Sequence, residues 1–62
     1  MKIIAQSNFN NDNVSEILIC ENVNAKYVSE IVAFLNHKFS GEKATYIFSE
    51  VPDDHKLYKW EP

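Results

Sequence analysis

The chain has 62 residues, a single cysteine, a formal net charge of −3 and 45% hydrophobic residues. This length predicts one domain over residues 1–62, and a lone cysteine excludes an internal disulfide. All the basic residues are scattered lysines, and the absence of arginine in an acidic chain disfavours sequence-specific DNA recognition.

The sequence also gives no sign of a membrane or secretory protein. No stretch reaches the roughly 18 consecutive apolar residues of a membrane span. The opening MKIIAQSNFN has too short an apolar run for a signal peptide, and a single cysteine suits a reducing compartment. We therefore expect a cytoplasmic protein.

Two extended runs at the start of the chain predict a β-hairpin. KIIAQSNF alternates apolar and polar residues, and VSEILICEN is rich in β-branched residues. Between them, Asn10-Asn11-Asp12-Asn13 tolerates the backbone conformations of a tight connection. Because Cys20 falls within the second apolar run, we expect a buried, unreactive thiol there.

The middle segment NVNAKYVSEIVAFLNHKFSG predicts a helix over about residues 25–40. Its apolar residues recur at helical spacing and form one stripe, with Ile31 beside it; the stripe consists of Val28, Val32, Leu35 and Phe39. Asn24 is suited to cap the helix N-terminus, and Gly41, the only glycine, stands where a left-handed C-cap is expected.

The last third of the chain predicts two more strands joined by a turn. ATYIFSEV has strand composition. Pro52 is suited to the second position of a turn, and Asp53 and Asp54 favour turn positions. KLYKWEP then predicts a fourth strand that ends at Pro62. The order β-β-α-β-β indicates an α+β domain with one helix packed on one face of a small, mostly antiparallel sheet.

The polar residues predict no catalytic, cofactor or metal site. Asp53, Asp54 and His55 are adjacent, so they cannot all point at one ion from a regular element, and Cys20 and His37 add no zinc-ligand spacing. The chain has no glycine-rich phosphate loop and no serine in a nucleophile-elbow motif. We therefore expect a protein that is not an enzyme.

The aromatic residues give the best indication of function. Alternation places two aromatics on one face of the third strand and two on one face of the fourth, so pairing of these strands would gather four on one sheet face. That face either packs under the helix or leaves apolar surface of the kind found at interfaces. The hypothesis is docking on a protein partner, or on a second copy as a homodimer, through a sheet face or edge. The candidate contact residues are Tyr46, Phe48, Tyr58 and Trp60, followed by Tyr27 and Phe34 at the borders of the polar helix face.

Single-stranded nucleic-acid binding is the alternative hypothesis, because aromatic sheet faces also stack bases. It is disfavoured by the charges, since Lys43, Lys56 and Lys59 are accompanied by more numerous acidic residues. Steep weakening of binding by salt would distinguish it.

Three segments together carry a family resemblance. FNNDNVSEILICENV, a helix containing AFLN and a closing VPDDHKLYKWEP resemble the small β-β-α-β-β proteins that tailed bacteriophages encode and make early to act on host machinery. The resemblance covers nearly the whole chain. It implies a protein that acts by binding, with no catalytic signature to carry over to any residue.

Overall fold

The computed structural model describes residues 1–8, 13–39, 41 and 44–61. These residues form three strands and one helix, in the order β1 (Lys2–Ser7), β2 (Ile17–Cys20), α1 (Val28–Phe39) and β3 (Tyr46–Val51). The strands make an antiparallel sheet with the order β2-β1-β3. The α+β class is confirmed. Of the predicted hairpin connection at residues 10–13, only Asn13 lies among the described residues.

The central strand β1 carries most of the core. Ile3 and Ile4 are both 0% exposed, and successive residues of a strand point to opposite faces. Both faces of the sheet are therefore covered at its centre. Ala5 and Val28 complete the buried core of the described residues.

The pairing of β2 with β1 contains an irregularity. Ile4 pairs with Leu18 whereas Ile3 pairs with Cys20, so Ile19 is an extra residue on β2. One extra residue on one strand is a β-bulge, which bends that strand and increases its twist.

Asn22 makes the turn that follows β2, with a φ of 59°. Asparagine tolerates this left-handed conformation better than most residues do. Beyond the turn the Met1 amino group donates to the Val23 carbonyl at 3.0 Å, and the Val23 N–H donates to the Met1 carbonyl at 2.9 Å. The N-terminus is thus held to the segment that leads into α1.

Asn24 makes the predicted capping bonds, but it caps the turn that leads into the helix, which starts about three residues later than predicted. The Asn24 side-chain oxygen accepts from the Lys26 N–H at 2.8 Å, and its carbonyl accepts from the Val28 N–H at 3.1 Å. Such bonds satisfy amides that a helix start leaves without partners. Residues 25–27 form a turn, and α1 itself begins at Val28.

The predicted left-handed cap at Gly41 is wrong, because the described residues include no glycine with positive φ. The segment after α1 is instead fixed by bonds to the end of β1. The Asn8 side-chain amide donates to the carbonyls of Gly41 at 3.1 Å and Ala44 at 2.9 Å. The Ala44 N–H also donates to the Gly41 carbonyl at 3.1 Å.

The helix α1 lies against the edge strand β3. Val28 is buried, and Val32 and Leu35 are half-buried. The predicted stripe is wrong at its end, since Phe39 is exposed, and the neighbouring Ile31 is exposed too. The reason is that a helix beside an edge strand has less sheet surface to cover than one over the centre.

The predicted fourth strand is not formed, since residues 56–61 belong to no strand; Pro62 lies outside the described residues. After β3 the His55 N–H donates to the Pro52 carbonyl at 3.1 Å. Pro52 therefore occupies the first position of the turn and not the second. After this turn, the C-terminal segment runs to a position beside residues 15 and 16, which lie just before β2. Because β1 lies between β2 and β3, this route takes the C-terminal segment past β1.

Candidate protein-binding edge

The two edges of the sheet differ, because a side chain closes the β3 edge at Phe48. The Asn36 side-chain amide donates to the Phe48 carbonyl at 2.9 Å, and the Phe48 N–H donates to the Asn36 side-chain oxygen at 2.8 Å. A neighbouring strand would make the same two bonds. The Phe39 ring, 6.3 Å from the Phe48 ring, adds packing at this edge.

The β2 edge is open. All four residues of β2 are exposed, and Ile17, Leu18 and Ile19 are 44%, 39% and 40% exposed. Within the described chain β2 pairs with β1 alone. An apolar edge strand with free backbone groups is a template on which another strand can pair.

The C-terminal segment lies at the entrance to this edge. The Glu16 N–H donates to the Tyr58 carbonyl at 2.8 Å, and the Tyr58 N–H donates to the Glu16 carboxylate at 2.9 Å. Two residues further on, the Trp60 N–H donates to the Ser15 hydroxyl at 3.0 Å. These bonds place Tyr58 and Trp60 beside the residues that lead into β2.

Glu16 is the electrostatic centre of this junction. One of its carboxylate oxygens lies 3.0 Å from Nε2 of His55 and also accepts the Tyr58 N–H. Partial burial raises the pKa of this carboxyl, but the Tyr58 hydrogen bond, the His55 hydrogen bond and the His55 charge outweigh that effect, so the Glu16 pKa lies below its ordinary value. The carboxylate is therefore held in the ionised form that ties residues 55 and 58 to the start of β2.

The adjacent residues Asp53, Asp54 and His55 do not act as one cluster. Asp53 forms an ion pair of 2.9 Å with the Met1 amino group, whereas His55 contacts Glu16. The Met1 ammonium lowers the pKa of Asp53, both by its hydrogen bond to the carboxylate and by its positive charge. Within residues 1–8, 13–39, 41 and 44–61, no three His, Cys, Asp or Glu side chains are grouped so as to hold a metal ion.

The structure divides the predicted aromatic residues between the two edges. Tyr58 and Trp60 are 44% and 42% exposed and lie beside the entrance to β2. Tyr46 and Phe48 are half-buried on β3, at the opposite edge. The expected stacking of all four on one hairpin face is wrong, because the Tyr58 backbone bonds to Glu16 and not to β3. The base-stacking platform of the alternative hypothesis depended on that hairpin.

Tyr27, in the turn just before α1, and Phe34, on the outer side of α1, are both exposed, as predicted for border residues. They are 51% and 62% exposed, and α1 separates them from the sheet.

Sequence reasoning did not identify the apolar residues of β2 as a site. It predicted a buried Cys20, but this thiol is exposed, since no element covers the outer side of β2 among the described residues. The available signal was the short apolar run between Glu16 and Glu21. Charged residues around a short apolar strand are typical of a sheet edge.

Comparisons with known proteins add no assignment. No protein-family model matches the chain, and neither the curated proteins nor the solved structures include a match. Among the residues that the structure describes, no helix has the length and apolar composition needed to cross a bilayer.

Proposed function

We propose that this protein is a non-enzymatic interaction module that binds an extended segment of a partner protein by strand addition at the β2 edge. The observation that carries the proposal is the contrast between the edges. Asn36 closes the β3 edge at Phe48, whereas β2 is exposed along its whole length. Added strands gain affinity from main-chain hydrogen bonds and specificity from side-chain contacts.

The side chains around β2 suit this mode of binding. Ile17, Leu18 and Ile19 offer apolar surface, and Tyr58 and Trp60 flank one end of the strand. Tyrosine and tryptophan are enriched among residues that dominate binding energy. An incoming strand would therefore contact aromatic side chains at one end and aliphatic side chains along the rest.

In one antiparallel pairing of two β2 strands, repulsion between like charges makes a second copy of the chain a poorer partner than a strand of another protein. Glu16 and Glu21 stand at either end of β2. In an antiparallel pairing of two copies centred between Leu18 and Ile19, each Glu16 would lie opposite a Glu21, and like charges in that position are destabilising. A homodimer through the same edge must adopt a shifted register. It would stop at two chains, because β3 offers no second open edge at Phe48.

The cellular setting is part of the same proposal. The resemblance to phage-encoded proteins supports a modulator that binds a host protein in the cytoplasm and changes its activity by occupying a surface. Such a role requires no catalytic group, metal or cofactor.

The test selects twelve-residue peptides from a displayed random library and maps their contacts by amide chemical shifts. Strand addition predicts shifts at β2, Tyr58 and Trp60. Two peptides are then N-methylated, one at its odd-numbered and one at its even-numbered residues. Alternate amides of a strand face the same neighbour, so one of these peptides should lose binding and the other should keep it.

Variants separate the β2 edge from other surfaces. Ile19→Lys, which places a charge on the open strand, should weaken peptide binding by about tenfold or more. Ala33→Lys, at an exposed position of α1 outside both proposed surfaces, is the matched control and should have no effect. Equal losses in both variants, or equal binding of the two N-methylated peptides, would contradict strand addition.

A further inference from the structure

The outer side of α1 carries a second apolar surface that the β2 edge does not use. Tyr27, Ile31 and Phe34 are 51%, 38% and 62% exposed. Tyr27 stands in the turn directly before α1, and Ile31 and Phe34 follow it on the helix at spacings of four and three residues, which places the three on one line. We refer to these three residues as the α1 stripe.

The α1 stripe is separate from the proposed strand-binding site. The helix lies against β3, and β2 is at the opposite edge of the sheet. On the inner side of α1, Asn36 bonds to Phe48 and Val28 is buried. The α1 stripe is therefore left facing outward by the way in which the helix is attached.

Lysine ammonium groups lie at both ends of the α1 stripe. Lys26 Nζ is 5.6 Å from the centroid of the Tyr27 ring, and Lys38 Nζ is 6.0 Å from that of Phe34. Cations at such distances are attracted to the ring faces. Neither lysine forms an ion pair with a described residue. Lys26 stands in the turn that precedes α1, and Lys38 stands in the last turn of the helix.

We propose that the α1 stripe is a second docking surface and that its occupant is an acidic amphipathic helix of a partner protein. Three apolar residues at helical spacing fit the apolar face of another helix. A carboxylate near each end of that helix would meet Lys26 and Lys38. Glu30 and His37 lie along one flank of the stripe, so the carboxylates belong at the ends of the partner helix and not along that side.

A second copy of this chain fits the α1 stripe less well. An antiparallel pair of helices centred between Glu30 and Ile31 would bring Tyr27 of each against Phe34 of the other. Lys38 would then lie opposite Val23, which carries no carboxylate. Charge complementarity therefore favours a different, acidic helix.

The probes are two synthetic 18-residue helical peptides that share four leucines at positions i, i+4, i+7 and i+11. One has two glutamates at each end, and the other has two lysines at each end. Titration of the whole protein, followed by amide chemical shifts, gives affinity and location together. The acidic peptide should shift residues 26–38 and bind about fivefold or more tightly than the basic peptide at low salt.

Variants identify the surface and the charges. Phe34→Ser should weaken the acidic peptide by about tenfold. Lys26→Glu combined with Lys38→Glu should reverse the preference between the two peptides. Lys56→Glu combined with Lys59→Glu changes the same net charge on the C-terminal segment and should leave the preference as it is.

Four outcomes would overturn the proposal. The first two are equal binding of both peptides and a preference that survives the charge reversal. The third is chemical shift changes on β2 in place of α1. The fourth is concentration-dependent shift changes at the α1 stripe without peptide, which would identify a second copy as the occupant. Because the strand-binding test reads out at β2 and uses Ile19→Lys, failure of either proposal leaves the other separately testable.

Discussion

The side chain of Asn36 pairs with the backbone of Phe48 in the way that a neighbouring strand would, donating to its carbonyl at 2.9 Å and accepting from its N–H at 2.8 Å. This pair attaches α1 to β3 and closes one edge of the sheet at Phe48. It leaves β2 as the edge at which another chain can be added.

The first prediction concerns removal of this closure. Asn36→Ala should lower the free energy of unfolding by about 1–3 kcal/mol, because the partly buried backbone groups of Phe48 lose both partners. Chemical denaturation measures the change, with His37→Ala as the exposed neighbouring control. The variant should also self-associate more at high concentration, since it has a second open edge. Unchanged stability in Asn36→Ala would show that these bonds do not hold the edge.

The second prediction compares how stability responds to substitution at Gly41 and at Asn22, which differ in backbone conformation. Gly41 lacks a positive φ, and a Cβ added there would meet no atom within 4 Å. Gly41→Ala should therefore be neutral or stabilise by about 0.4–1 kcal/mol through the unfolded chain. Asn22, with a φ of 59°, should respond oppositely, so that Asn22→Ala destabilises while Asn22→Gly does not. Loss of stability in Gly41→Ala would instead support a left-handed cap.

The third prediction concerns acid. The Glu16 pKa is lowered in the folded protein, so the ionised carboxylate contributes stability above the pKa of the unfolded chain. That contribution is lost as the pH falls through the lowered folded pKa. Glu16→Gln should be less stable by about 1–2 kcal/mol near neutrality. The stability curves of variant and wild type should converge in acid.

Denaturation of both proteins across a pH series checks the convergence. Asp53→Asn is the control. The pKa of Asp53 is also lowered, but Asp53 forms its ion pair with the N-terminus and not with His55. A constant difference between Glu16→Gln and wild type at every pH would contradict the assigned role of the ionised carboxylate.

The fourth prediction concerns the thiol of Cys20, which is exposed on β2. A small thiol reagent should label the native protein at a rate close to that of the denatured chain, because labelling requires no opening. Native and denatured rates measured side by side provide the comparison. If labelling proceeds only as fast as the protein unfolds, the Cys20 thiol is buried and this prediction is wrong. A peptide bound at β2 should slow the reaction.

The sequence was sufficient where local physics decides the structure. The apolar spacing from Val28 onward predicted the helix and its inner face, and the polar side chain of Asn24 predicted a capping residue close to its start. Strand composition predicted β1, β2 and β3. In these segments the pattern and the capping residue agree with what the tertiary structure requires.

Long-range contacts decided the remainder. KLYKWEP alternates as a strand should, yet Glu16 and Ser15, more than 40 residues away, bind the backbone of Tyr58 and Trp60. Composition cannot predict such a pairing. The exposure of Cys20 and Phe39 likewise follows from which strand lies at an edge and from where the helix attaches. The candidate site was missed at β2 because an apolar run has the same composition in the centre of a sheet and at its edge.

Residue-resolved amide hydrogen exchange of the free protein distinguishes an open β2 edge from a covered one, because it reports each edge separately. The Phe48 amide should be protected by Asn36, whereas the β2 amides that face away from β1 should exchange rapidly. If those β2 amides are as protected as Phe48, the edge is already covered and strand addition at β2 is contradicted.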